Sequence, residues 1–288
     1  MISFGLNEKG EETLSLSVDK AFSGRLIKDF LRCRMCLSST LLKKVKYGGV
    51  FIEDTAVTMR ATVKEGDAVH VVLPREDSEN IEPIVLPITI VYEDEYMLVV
   101  DKPSNMPVHP SLGNSLPTVA NAVMAYMGDG FVFRAVNRLD RDTEGLVLIA
   151  KNQYAAGLLS SEMKKGKIEK YYTAVLSRTP EVREGLIDAP IAREREGEMK
   201  RVVRADGKRA ITEYRITEVL EDGRCVCEIR LHTGRTHQIR VHMAHIGAPL
   251  YADFLYGERI EGKTYSLKAS RLILTHPVTN KRIEIKAV

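Results

Sequence analysis

The alternation of apolar and polar positions divides the chain into an N-terminal part with two short helices and a longer, strand-rich remainder. Near the N-terminus, Leu26, Ile27, Phe30 and Leu31 recur at helical spacing behind Ser23, a residue able to cap them. Leu41, Leu42 and Val45 repeat the pattern behind Ser38 or Ser39, and Gly48–Gly49 stops it. A strand is expected over Val50–Glu53. Lys64-Glu65-Gly66-Asp67 reads as a turn into a strand over Val69–Leu73. From Ile88 onward, strands are expected over Met97–Asp101, Val132–Val136, Leu146–Ala150, Tyr171–Leu176, Ala210–Val219, Cys225–Leu231, Arg271–Thr275 and Arg282–Lys286. Helices are expected over Pro117–Met127, Gln153–Lys165 and Thr236–Ile246. Strands outnumber helices and do not alternate with them. The fold class is therefore α+β, with a mostly antiparallel or mixed sheet flanked by helices, and not a doubly wound parallel sheet. Arg75–Asn80, Pro83 and Pro87 look like a joint. The division predicted is 1–75 as one domain, 76–87 as a linker and 88–288 as a second domain.

Composition narrows the class. At 288 residues and 44% hydrophobic, the chain can bury a sizeable core. No apolar run approaches the ~18–20 residues needed to span a bilayer. The opening MISFGLNEKGEE lacks the basic and apolar regions of a secretory signal. Four cysteines make no disulfide framework. Cys33 and Cys36 lack a second ligand pair for zinc and are expected to pack, as are Cys225 and Cys227 on one strand face. A cytoplasmic protein and a monomer is the expectation, with no membrane partner.

Net charge is only +3, but the whole excess lies in residues 1–75. Lys20, Arg25, Lys28, Arg32, Arg34, Lys43, Lys44 and Lys46 face a single acid, Asp29, between Lys20 and Gly48. Such a patch attracts phosphate backbones in a salt-sensitive way, although a charge run alone is also what a solvated helix face looks like.

Three segments carry polar residues that apolar patterning does not explain. Asn137-Arg138-Leu139-Asp140-Arg141-Asp142-Thr143-Glu144-Gly145 lies between two expected strands. It is either a functional loop or a polar turn bonded to itself. Tyr171 and Tyr172 point to opposite faces of their strand, so one of them meets solvent or a cleft. Leu231–Gly247 holds four of the seven histidines, with Thr236 as candidate N-cap and Arg240 on its helix face. A metal site is the sharp alternative there. However, His237 and His242 diverge around a helix, and no carboxylate completes a set with His242 and His245. Walker, G-x-G-x-x-G and G-x-S-x-G motifs are absent. No metal and no cofactor are expected.

Taken in order, these segments resemble the ribosomal large-subunit pseudouridine synthases of the RluA/RluD type over nearly the whole chain. The carriers are NRLDRDTEGLVLIAK (137–151), Lys170-x-Tyr172-x-Ala174, and TGRTHQIRVH from Thr233 with its continuation to Leu250, followed by Tyr251-Ala252-Asp253. To these are added VYEDEYMLVVDKPSNMPVHP (91–110) and Leu267-Lys268-Ala269…His276-Pro277. Asn137, Glu144 and Lys268 depart from the usual His, Ser and His.

The resemblance implies a pseudouridine synthase fold and an isomerase that converts uridine to pseudouridine in RNA. Large-subunit ribosomal RNA is the expected substrate and tRNA a further possible one. It implies Asp140 as the catalytic aspartate, Tyr172 as the aromatic partner of the flipped base, and Arg240 as the aspartate's ion-pair partner. It implies substrate contacts from Arg138, Arg235, Thr236 and His237. The N-terminal helices resemble an αL-type RNA-binding module shared with a small-subunit ribosomal protein, with Arg25, Lys28, Arg32, Lys43, Lys44 and Lys46 on RNA. The competing expectation is a non-catalytic RNA-binding or ribosome-assembly factor of the same fold.

Overall fold

The computed structural model describes residues 2–76, 81–110 and 116–288. Residues 77–80 of the expected linker lie outside these. The N-terminal unit is a five-stranded sheet in the order β1 (Ser3–Leu6), β2 (Glu12–Ser17), β5 (Ala68–Val72), β3 (Val50–Ile52), β4 (Thr55–Ala56), with α1 (Ile27–Cys33) and α2 (Ser39–Val45) against it. Ile27, Phe30, Leu31, Leu41 and Val45 close its core against Leu14, Val69 and Val71. Strands β1 and β2 escape sequence reading because only Leu14 among their residues is fully buried. Ser23 does not cap α1: its hydroxyl accepts the Glu65 N–H, and the helix starts after Leu26 without a side-chain cap. Ser38 does cap α2, accepting from the Leu41 N–H.

The larger unit is built on a nine-stranded sheet. Along it run β10 (Glu184–Asp188), β13 (Ile211–Val219), β14 (Cys225–Leu231), β9 (Glu169–Leu176), β15 (Leu267–Thr275), β8 (Glu144–Ala150), β7 (Met97–Lys102) and β6 (Thr89–Glu93), while β16 (Arg282–Lys286) pairs with β15. Every pairing is antiparallel except β15 with β8. β7 and β8 are apolar at nearly every position because both faces are covered. Leu98, Val100, Val147 and Ile149 face α3 (Val119–Met127). Met97, Val99, Leu146 and Leu148 face α4 (Gln153–Lys164). β14 alternates instead: Cys225, Cys227, Ile229 and Leu231 pack on α5 (Gln238–His245), and the residues between them are only partly covered. A hairpin, β11 (Ile191–Arg193) and β12 (Arg201–Val203), lies beside α5.

Two expectations fail here. Val132–Val136 forms no strand: Phe131 and Phe133 turn into the α3 core, and only Ala135 bridges to β8, at Ile149. Cys33 and Cys36 are exposed, not packed, because the core positions of this stretch are taken by Leu31, Met35 and Leu37. Cys225 and Cys227 are buried as expected. No helix among the described residues is long and apolar enough to cross a membrane.

Candidate active site

The Asp140 loop runs into the start of β8, Tyr172 lies within β9, and the turn before α5 leaves the end of β14. β8 and β14 run in the same direction, so loop and turn come from opposite ends of the sheet and meet where His237 stands 4.0 Å from Asp140. Gly145 ends the Asp140 loop with φ +103°. A Cβ there would stand 2.3 Å from the Ala269 carbonyl oxygen, so only glycine permits the parallel β8–β15 approach. Asn137, one of the departures from the family pattern, clamps the loop's other end. Its amide donates to the Leu146 carbonyl (3.0 Å) and its Oδ1 accepts the Leu148 N–H (2.7 Å).

Between these anchors three consecutive backbone carbonyls are bonded. The Asp140 carbonyl accepts the Thr143 N–H (3.1 Å), and the Asp142 carbonyl accepts the Ser104 hydroxyl (3.1 Å). The Arg141 carbonyl accepts the Lys102 ammonium (2.8 Å) and the Met106 N–H (3.2 Å). Lys102 is buried and also donates to Pro103 (2.8 Å). Burial pushes its pKa down to about 8, against the nearby charges of Asp142, Glu144 and Asp140.

The Asp140 side chain is free where its backbone is not. It is 31% exposed, and among the described residues nothing donates a hydrogen bond to its carboxylate. The nearest basic side chain is His237, whose Nε2 stands 4.0 Å from Oδ2. Tyr172 is buried, its phenol pushed up first by burial and then by the Asp140 charge.

The arginine expected to pair with Asp140 is engaged elsewhere. Arg240 donates through Nε and Nη2 to the two carboxylate oxygens of Asp253, both at 2.7 Å, and no Arg240–Asp140 ion pair forms within 4.0 Å among the described residues. Asp253 sits just beyond α5 and takes the bidentate edge of the guanidinium, while Asp140 acts on Arg240 only as a more distant charge. Tyr265 and Tyr256 flank the guanidinium at 4.3 and 5.0 Å, and Tyr265 Oη lies 3.4 Å from Thr143 Oγ1 in the Asp140 loop.

The turn before α5 is also tied down by its own motif. Thr236 is exposed and caps nothing; the N-cap position is His237, in the left-handed region at φ 56°. Gln238 holds the turn by accepting from Thr233 (2.8 Å) and the Arg235 N–H (2.9 Å), and by donating to Ile211 and Thr212 (3.0 Å each). His242 donates from Nε2 to the Ala189 carbonyl and accepts from Thr212 at Nδ1, both at 2.9 Å. Both ring nitrogens are therefore taken by protein groups. Among the described residues no cluster of His, Cys, Asp and Glu could hold a metal ion. Arg138, Arg235 and Thr236 are exposed; Arg235 holds the Arg209 carbonyl (2.9 Å), and Arg138 forms no ion pair among the described residues.

The model of the RNA pseudouridylate synthase family matches residues 96–245, which contain the Asp140 loop, Tyr172 and TGRTHQIRVH. The chain belongs to that family. It is an isomerase of the RluA/RluD type, as the resemblance in its motifs implied. It is 39% identical over 249 residues to ribosomal large subunit pseudouridine synthase D of Pasteurella multocida, covering 80% of this chain and 76% of that one. It is 37% identical over 258 residues to an uncharacterised RNA pseudouridine synthase of Bacillus subtilis, covering 87% and 91%. Among solved structures, human RNA pseudouridylate synthase domain containing 1 superposes with a TM-score of 0.58 at 25% identity, covering 73% of this chain and 85% of that one. Within this pseudouridine synthase, sequence reading missed Lys102, Asp253, Tyr256 and Tyr265 as parts of the site. Asp253 and Tyr256, three apart just after α5, were the available signal.

The six basic residues singled out on the N-terminal unit are all exposed. Lys44 is not free: it pairs with Glu76 (2.6 Å), which also binds Arg134 of the larger unit. Tyr47, 84% exposed beside Lys46, adds an aromatic surface that charge counting did not reveal.

Proposed function

We propose that this chain isomerises uridine in large-subunit ribosomal RNA, with Asp140 as the essential carboxylate and the target base flipped onto Tyr172. The observation that carries this reading is the contrast within one loop: a backbone bonded at Asp140, Arg141 and Asp142 holds a carboxylate that accepts no hydrogen bond among the described residues. A carboxylate so placed is available to a sugar carbon. In the isomerisation the bond from uracil N1 to ribose C1′ breaks, the ring turns, and C5 bonds to C1′. The C5 proton departs and N1 gains one. An ionised carboxylate serves this by attacking C1′, as in covalent glycosidases, or by taking a ribose proton to give a glycal.

The target uridine leaves its stack to reach the cleft, and a face such as Tyr172 restores about 1–3 kcal/mol of stacking. Arg138, exposed and beside Asp140, fits the displaced strand or its phosphates; His237, 4.0 Å from Asp140, and the exposed Arg235 and Thr236 next to it in the chain are the further substrate contacts. The N-terminal unit reads as the αL-type RNA-binding module, with Arg25, Lys28, Arg32, Lys43 and Lys46 facing phosphates and Lys44 joining the two units.

The test is tritium release from [5-³H]uridine-labelled ribosomal RNA, with the modified site mapped afterwards. Wild type releases tritium and Asp140→Asn does not. Equal release by both removes Asp140 from the chemistry. Tight binding of every ribosomal RNA and tRNA with no release by wild type favours a non-catalytic binding role.

A further inference from the structure

His237 faces Asp140 through Nε2, and its other ring nitrogen has one partner. Tyr256 Oη lies 2.8 Å from His237 Nδ1, the two rings meeting edge to face. The same Oη is 2.9 Å from the backbone nitrogen of Arg201, on β12 of the hairpin. A backbone N–H can only donate, so Oη accepts from Arg201. The phenol's own proton then has His237 Nδ1 as its acceptor, since among the described residues Oη has no other hydrogen-bond partner. A nitrogen that accepts carries no proton, and in a neutral imidazole the proton then sits on the other nitrogen.

We propose that Tyr256 is a positioning residue that fixes His237 as its Nε2–H tautomer, so that an N–H, not a lone pair, confronts the Asp140 carboxylate. The proposal rests on the reading of Asp140 as the essential carboxylate. Its consequence is electrostatic. At 4.0 Å the positive end of an N–H dipole favours a charged Asp140, whereas the other tautomer would set a lone pair against it. The groups acting on His237 are Asp140, Arg240, Arg201, Asp253 and Tyr256; burial outweighs the carboxylates and holds the ring below the usual histidine pKa, hence neutral. The hairpin thereby takes part in the site through one backbone N–H, although none of its side chains reaches Asp140 in an ion pair.

The experiment is ¹⁵N spectroscopy of histidine-labelled protein, with pH titration, on wild type, Tyr256→Phe and the remote control Tyr126→Phe. The expected wild-type signature is an unprotonated Nδ1 and a protonated Nε2. In Tyr256→Phe the tautomers mix and the His237 midpoint moves up, because the bond that favoured the neutral ring is gone. The tritium assay should show kcat reduced about fivefold, the loss of one neutral hydrogen bond, with KM nearly unchanged. Should Tyr256→Phe fold poorly, His237→Gln, which keeps an N–H donor, should retain more kcat than His237→Leu. Protonated Nδ1 in wild type, a tautomer and midpoint identical in Tyr256→Phe, or equal kcat for the two His237 variants overturns the proposal. Full tritium release by Asp140→Asn instead overturns the reading of Asp140, and the spectra still decide the tautomer.

Discussion

Removing the Asp253 carboxylate should damage this protein more than removing the whole ion pair. Arg240 is 4% exposed and Asp253 fully buried, and the two share bonds of 2.7 Å on two atoms each. Asp253 also accepts the N–H groups of Leu255 (3.0 Å) and Tyr256 (3.2 Å), so Asp253→Ala releases four donors at once. The dominant loss is the guanidinium left charged among Tyr265, Tyr256 and Phe254 with no carboxylate in contact. Breaking one side of such a pair costs about 3–5 kcal/mol, whereas replacing both sides with apolar groups is often near neutral. For a unit of about 200 residues that is a fall in Tm of roughly 6–20 °C. The assay is thermal and urea unfolding of Asp253→Ala, Arg240→Met and the double variant. The double variant should be more stable than Asp253→Ala, with a coupling of at least about 2 kcal/mol, yet inactive in tritium release. Additive losses, or an Asp253→Ala loss below about 1 kcal/mol, would refute the account.

Three further outcomes follow from the same geometry. Gly145→Ala drives a Cβ to within 2.3 Å of the Ala269 carbonyl at a positive φ, and should lose at least about 3 kcal/mol; melting within 2 °C of wild type would contradict it. Lys102, with its folded pKa lowered to about 8, holds fewer protons when folded than unfolded between that value and about 10.5, so stability should rise with pH across this window. Lys102→Met should lack that rise, and parallel stability–pH curves for the two proteins would exclude it. Lys28→Ala with Lys43→Ala and Lys46→Ala should weaken RNA binding and flatten the salt dependence by about one unit of slope per lost phosphate contact; an unchanged slope would turn those helices away from RNA.

The sequence made the larger sheet legible where one physical cause dominated each position. β14 alternates because one face meets α5 and the other does not, and its ends fall at Cys225 and Leu231 as expected. β7 and β8 declare themselves as continuous apolar runs. β10, β11 and β12 stayed hidden because they are short and lie at or beyond the sheet edge. At the site, residue types and their grouping could be read, but pairing could not. Arg240 has two carboxylates within electrostatic reach, and nothing in its motif distinguishes Asp253, thirteen positions on, from Asp140. The choice is made by tertiary geometry, where Asp253 alone presents both oxygens to the guanidinium edge.

That choice changes what the long motif is for. If Arg240 bonded Asp140 directly, the arginine would occupy the carboxylate to which the proposed reaction assigns the attack. With Asp253 taking its hydrogen bonds, Arg240 contributes charge from a distance and a rigid surface for Tyr265 and Tyr256. Those two rings lead to Thr143 in the Asp140 loop and to His237 at the mouth. Gln238 and His242 spend every polar atom on their own turn, on β13 and on the chain before the hairpin. Most of TGRTHQIRVH therefore builds a frame, and so do Lys102, Asn137 and Gly145 across the cleft. In physical terms a site of this kind separates rigidity from reactivity. The backbone and the neighbouring polar groups are satisfied by one another, which leaves the Asp140 carboxylate, held in place and without a hydrogen bond among the described residues, open for the role proposed for it.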